Sequence, residues 1–264
     1  MRATVRQGLP GRRAAGAVTA GVLIAVLLCL PRPATALPFE PGEQLQMTIR
    51  YVFVPVGELR VTVKETVDGG VRIWPVQGHA RSRGLVGALY DIDDTFTTRL
   101  DPVTKRTLGS ELIENFRDWH SKETITMNGA SAQIHKEHNG NIRDSVESVP
   151  IGSRDLLAAV FALRDETLTK RTNIHIPIFS GIKSWELVAD VTGEETITTA
   201  AGKFDTLLLR CRTTFGGKLK TNGDILVWLS RDARRIPVRI VAPLMIGHAE
   251  AELTSYQAGG QGTN

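Results

Sequence analysis

Cysteine is almost absent from this 264-residue sequence: there are two, Cys29 and Cys211. Cys29 lies inside an N-terminal leader, so the chain beyond it keeps one thiol and no intramolecular disulfide is expected, even in an oxidising compartment. Long apolar runs are also missing beyond the leader, which leaves no candidate membrane-spanning helix there. Internal repeats, low-complexity blocks and linkers that would divide the chain are lacking. No Gly-x-Ser-x-Gly elbow, phosphate-cradling glycine loop or paired-carboxylate motif stands out. The sequence therefore names no catalytic residue and no cofactor, and an enzyme, such as an uncharacterised hydrolase, is the less favoured reading.

What is present begins with that leader. Arg2, Arg6, Arg12 and Arg13 form a basic start, Ala14–Leu30 is apolar, and Ala34-Thr35-Ala36 is a small-x-small cleavage pattern. Residues 1–36 are read as a cleaved signal peptide, with the mature protein starting near Leu37 in the periplasm. Arg12-Arg13 lacks the bulky apolar pair of a twin-arginine signal, and Leu28 stands where lipoprotein processing needs a small residue before Cys29. The leader carries five arginines and no acids. Without it, the formal charge of +4 becomes 27 basic against 28 acidic residues. The basic balance therefore belongs to the leader and gives no warrant for nucleic-acid binding.

From Leu37 onward the dominant signal is two-residue alternation. Leu45, Met47, Ile49, Tyr51 and Phe53 share one face, and Leu59, Val61 and Val63 resume the pattern after Pro55-Val56-Gly57, which predicts a hairpin. Asn128-Gly129 predicts another turn, as does Asn139-Gly140-Asn141. Pro75 and Gly78 predict an edge, bulge or bend, and Gly84–Ala88 a short excursion. Ile225–Leu229 is apolar on both faces, as expected of a strand covered on both sides. One helix interrupts the strands, Ser153–Asp165, with Ser153 as N-cap, Asp155 in the first turn and Arg164 at the negative end of the dipole. Its segment Leu156–Leu163 is apolar all round and should be covered all round. The expected fold is mainly β: a strongly curved antiparallel sheet or open barrel of about twelve strands wrapped around one central apolar helix. It spans 37–257 as a single domain, and 258–264 form a disordered tail.

Asp91, Asp93 and Asp94 are weak metal candidates, because clustered carboxylates attract a hard cation but lack the glycine and distal glutamate of a calcium loop. His135 and His138 are three apart and point to opposite faces of a strand. Cys211, beside Leu207 and Leu209, reads as a buried inert thiol. In Trp228–Val238, Ser230–Arg234 reads as a turn, and Arg235 faces either a carboxylate or an anionic ligand.

That last segment, Trp-Leu-Ser-x-Asp-x-x-Arg-x-Pro-Val, resembles the signature of the exported bacterial family called domain of unknown function 3108. Pro41-Gly42-Glu43 with Val56-Gly57-Glu58-Leu59, Leu89–Asp94, Asp155–Arg164, Ala201–Thr206 and Gly247–Tyr256 resemble its other segments. The helix departs from the pattern, reading Leu-Leu-Ala-Ala-Val-Phe where the family has a serine and tyrosines. The resemblance implies export and a β-rich, barrel-like fold, and supplies no catalytic set. The leading expectation is a non-enzymatic binding or envelope-assembly protein. It would hold a lipid or other amphipathic ligand between sheet and helix, with Leu156, Val160, Phe161, Trp228 and Arg235 as ligand-binding residues. A structural or protein-interaction module with a solid core, acting on an envelope protein partner, is the alternative.

Overall fold

The computed structural model describes residues 38–84, 91–117, 119–170, 172–181, 183–215, 218–219 and 223–260. The leader, the Leu85–Ala88 part of the expected excursion and Leu89-Tyr90 lie outside them. All described residues fall in one unit, Leu37–Asn264. Sixteen strands and one helix of more than one turn are found among them: β1 (Gln44–Tyr51), β2 (Val54–Val63), β3 (Thr66–Asp68), β4 (Val71–Ser82), β5 (Asp93–Leu100), β6 (Thr107–Phe116), β7 (Trp119–Asn128), β8 (Ser131–His138), β9 (Asn141–Ser148), α1 (Leu156–Asp165), β10 (Asn173–Phe179), β11 (Ser184–Thr199), β12 (Gly202–Phe215), β13 (Lys218–Leu219), β14 (Ile225–Ser230), β15 (Pro237–Pro243) and β16 (His248–Gln257). The expected twelve becomes sixteen partly because β3 and β13 are too short to leave an alternation signal.

Fourteen strands form one path, β10-β11-β12-β14-β15-β16-β1-β2-β4-β5-β6-β7-β8-β9, while β3 pairs with β4 and β13 with β12. Every pairing is antiparallel. The first strand joins the last in mid-sheet, β1 against β16. The chain then meanders out to β9, crosses by α1, and returns from the opposite end at β10. The sheet is open, since β9 and β10 end the path. It also curls: Phe179 of β10 shares an apolar cluster with Ile125 of β7 and Ala132 and Ile134 of β8, near the other end.

Several turns differ from expectation for local reasons. The first hairpin reverses at Val52-Phe53, both with positive φ (45° and 72°), so Pro55-Val56-Gly57 lie within β2. The Asn128-Gly129 turn is centred one residue later, on Gly129-Ala130, because Asn128 still pairs with Ser131. Asn139 and Gly140 do turn the chain, with φ of 44° and 80°. β4 is neither an edge nor bulged: it pairs with β2 and β5 without a register shift. Pro75 is tolerated there because it falls between the last β2 partner, Val76, and the first β3 partner, Ile73. Residues 258–260, expected to begin the loose tail, lie against the N-terminal turn, with the Gly260 N–H donating to the Pro41 carbonyl at 2.9 Å.

The helix cap also differs. Asp155, not Ser153, is the N-cap, and its Oδ1 accepts from the Ala158 N–H at 2.8 Å. Ser153 instead donates its hydroxyl to the Pro150 carbonyl at 2.7 Å, closing the preceding turn. Arg154 ties the helix entry to the end strand: its N–H donates to the Pro177 carbonyl and its carbonyl accepts from the Phe179 N–H, both at 2.9 Å. Nor is α1 covered all round, because Leu156 is 54 % exposed. The helix feeds two cores. Ala159, Ala162 and Leu163 pack with β10, β11, β12 and β14, and Ala158 and Phe161 with β1, β2, β4, β5 and β16. β14 is covered on both faces as expected: Val227 and Leu229 enter the first of these cores, and Trp228 packs against Ile197 and Val238 on the other side.

Candidate functional site

Where the helix N-terminus overhangs the curled sheet, an open cleft of about 310 Å³ remains. That volume is at the small end of ligand sites. Phe96 and Thr98 of β5, Ser110, Glu111 and Leu112 of β6, and Glu123 and Ile125 of β7 line one side. Asp155, Leu156 and Leu157 of the helix entry, with Phe179 and Ser180 at the end of β10, line the other. The apolar wall comes from strand alternation meeting the first turn of an apolar helix. The lining holds three carboxylates and no basic side chain. Glu111 pairs with Lys122 at 2.9 Å and Glu123 with Lys136 at 3.3 Å.

Asp155 is the group whose chemistry the cleft alters most. Its Oδ2 accepts from the Thr98 hydroxyl, linking helix cap to β5, while Oδ1 caps the helix. Asp155 as a residue keeps partial exposure, yet its carboxyl group is enclosed. Burial pushes the carboxyl pKa above its ordinary value, against the lowering effect of the Ala158 N–H and the Thr98 hydroxyl. A folded pKa above the unfolded one favours the fold at acid pH, and that contribution is lost as pH rises through the folded pKa. Asp155→Asn keeps a capping oxygen and removes the charge, so at pH 7 it is expected to be at least as stable as the parent. Its advantage should shrink as the solution is acidified. Asp155→Ala loses the cap and should be about 1 kcal/mol less stable than Asp155→Asn at pH 7. Urea denaturation of the three proteins across pH checks the order.

The residues singled out from sequence do not converge. Leu156 lines the cleft. Val160 is half-buried one turn on, and Phe161 is buried, its ring edge-on to Phe39 at 4.7 Å. Trp228 lies in a separate cluster and donates its indole N–H to Glu195 Oε1. Arg235 sits in the β14–β15 turn with φ of 48°, its guanidinium donating to the Arg231 carbonyl at 3.3 Å. Asp93 pairs with His79 at 2.5 Å and Arg81 at 3.4 Å, whereas Asp94 accepts from the Asn115 N–H at 2.9 Å. Adjacent strand residues point to opposite faces, so these carboxylates do not meet. Asp91 joins neither, and no group of three or more His, Cys, Asp or Glu able to hold a metal is found among the described residues. His135 pairs with Asp144 at 2.7 Å, and the His138 ring packs against Trp119 at a 45° tilt. Cys211 is buried, and desolvation pushes its thiol up to about 12, which leaves it protonated and unreactive.

Sequence reasoning missed Phe96, Leu112, Ile125 and Phe179. Each carries only the ordinary inward-facing signal of a strand, and their meeting depends on how the sheet curls. It also missed a buried cluster beside the helix C-terminus. There Arg164 Nη1 and Nη2 bind Glu43 Oε2 and Oε1 at 2.8 and 2.6 Å, both side chains being shielded from solvent. Arg164 also donates to the carbonyls of Pro38 (2.5 Å) and Arg234 (3.0 Å), and the Tyr256 hydroxyl donates to Glu43 at 3.1 Å.

A solved structure described as a "Beta-barrel-like Protein of Domain of Unknown Function DUF1849" from Brucella abortus is similar, with a TM-score of 0.59 and 7 % identity over 84 % of this chain and 99 % of that one. Two looser likenesses are a "putative lipoprotein" from Parabacteroides distasonis (TM-score 0.34, 10 % identity, 84 % and 97 % covered) and a "putative exported protein with YmcC-like fold" from Bacteroides fragilis (TM-score 0.30, 9 % identity, 84 % and 98 % covered). No curated protein matches the chain. The family model described as a protein of unknown function, DUF3108, matches residues 46–254, which reach from within β1 to within β16 and include the Trp228–Val238 segment, and the chain belongs to that family.

Proposed function

We propose that this is an exported, periplasmic, non-enzymatic binding protein whose sheet wraps α1 to hold one apolar chain of an amphipathic ligand in the cleft beneath the helix N-terminus. The observation that carries this reading is the apolar cleft between β5–β7, Leu156, Leu157 and Phe179. The leader pattern in residues 1–36 supports export. Apolar walls hold a hydrocarbon chain without needing matched polar groups. The described lining carries no basic side chain, and Glu111 and Glu123 are already paired with Lys122 and Lys136, so a neutral or zwitterionic head group fits its mouth better than an anionic one, which would find no cation to meet it there. An enzymatic reading gains little from Asp155, both of whose carboxylate oxygens are engaged by Ala158 and Thr98.

The test is extraction and native mass spectrometry of the purified protein, followed by displacement of a fluorescent single-chain probe. A monoacylglycerol should displace it better than the fatty acid of the same chain length at pH 7. Leu112→Trp, which fills the cleft from β6, should weaken probe binding at least about tenfold, as expected for lost burial of several methylenes. Unchanged affinity in that variant, with its fold intact by circular dichroism, would sink the proposal.

An interaction module is the second reading, favoured by β9, an end strand that leaves Ile142 and Val146 exposed.

A further inference from the structure

Far from this cleft in sequence, the turns of two neighbouring hairpins come together. The β1–β2 turn carries Val52 and Phe53, and the β15–β16 turn carries Leu244, Met245 and Ile246. Phe53, Met245 and Ile246 are 77 %, 96 % and 79 % exposed, and no charged residue occurs in 51–57 or 242–247. Gly247, with φ of 72°, lets the turns touch, since a Cβ there would lie 2.7 Å from Val52 Cγ2. Scattered exposed apolar residues are ordinary, but a contiguous projecting group of them marks an interaction site.

We infer that this double tip docks on a lipid surface, inserting its apolar side chains below the head groups. Three observations favour lipid over a protein groove. First, part of the tip's backbone is already hydrogen-bonded within the protein, which lowers the cost of leaving water. The Val52 N–H donates to the His248 carbonyl (3.3 Å), the Leu244 N–H to the Gly247 carbonyl (3.1 Å) and the Tyr51 hydroxyl to the Ile246 carbonyl (3.0 Å). Pro55 and Pro243, at the tip bases, have no N–H to satisfy. Second, the charges behind the tip cancel among themselves: Arg50 binds Glu252 at 3.1 Å, and Arg239 binds Glu250 and Glu252 at 3.1 and 2.5 Å. Among the described residues, these four charges therefore balance behind the tip. Third, Val52 and Phe53 occupy a two-residue turn with both φ positive, where Asn-Gly would be relaxed. Bulky apolar residues are kept there against local conformational preference, as at sites where strain serves a function. A projecting apolar tip suits a fluid layer that moulds to it.

The experiment is flotation with phosphatidylcholine vesicles, using the unit Leu37–Asn264, whose apolar cores are made of its own residues. It should float with vesicles, and binding should survive high salt because the tip is uncharged. Met245→Ser with Ile246→Ser should weaken partitioning at least about tenfold. Val52→Asn with Phe53→Gly should also weaken it, yet raise or preserve the melting temperature, which separates lost insertion from lost folding. Wild-type protein that fails to float would overturn the inference. So would undiminished binding by the tip variants, binding confined to anionic vesicles at low salt, or self-association abolished by these substitutions without any vesicle binding.

Discussion

Arg164→Met is expected to lower the unfolding free energy by about 3–5 kcal/mol, the cost of leaving one member of a buried ion pair alone. Glu43 would lose both guanidinium contacts and, among the described residues, keep the Tyr256 hydroxyl alone, in a site shielded from solvent. The substitution also frees the Pro38 and Arg234 carbonyls and removes the guanidinium that packs beside the Phe39 and Phe161 rings, 5.2 and 4.9 Å from their centroids. Four distant pieces of chain meet here: the segment before β1, the helix end, the β14–β15 turn and β16. The pair therefore clamps the sheet where its first and last strands join. Adding Glu43→Gln to Arg164→Met should recover a substantial part of the loss, since a neutral amide costs less to bury than a lone carboxylate. Guanidinium chloride denaturation of both single variants and the double measures the coupling. If the double variant is as unstable as the sum of the singles, the pair is not an interacting unit.

The clamp marks where sequence reasoning stops. Arg164 was legible as a basic residue in the last helical turn, and it is one. Dipole compensation alone would leave it in solvent, and nothing local reveals a carboxylate 121 residues upstream. Strand alternation fares better because it is local: Leu45 and Met47, Val61 and Val63, and Ile174, Ile176 and Ile178 are all buried as their spacing requires. The apolar helix was legible from Leu156–Leu163, whereas its cap was not. Ser153 and Asp155 are both good caps, and the choice is made by Arg154, whose backbone bonds to β10 hold residue 153 outside the helix. The cleft lies furthest from the sequence. Val160 and Phe161 are helical neighbours of Leu156, but a turn of about 100° per residue sends Phe161 into the core beside Phe39. The far wall is made by strands whose approach is a property of sheet curvature.

Gly78→Ala should join stability to the cleft. Gly78 of β4 is paired directly with Phe96 of β5, and a Cβ at Gly78 would fall 2.1 Å from the Phe96 ring. The ring lies across the glycine, so the missing side chain on one strand is covered by the large one on its neighbour. An added methyl cannot be absorbed by a small shift, and the ring must leave its place in the cleft wall. Overpacking of this kind costs about 1–3 kcal/mol, and probe affinity should fall with it because the cleft loses its Phe96 wall. Phe96→Ala vacates the space the methyl needs. In the Phe96→Ala background, Gly78→Ala should therefore cost little, and a double-mutant cycle should show coupling of about 1 kcal/mol or more. Equal destabilisation by Gly78→Ala in both backgrounds would mean that the strand itself, rather than the ring, demands glycine. Coupling in stability together with unchanged probe affinity would detach Phe96 from the ligand site and leave its packing purely architectural.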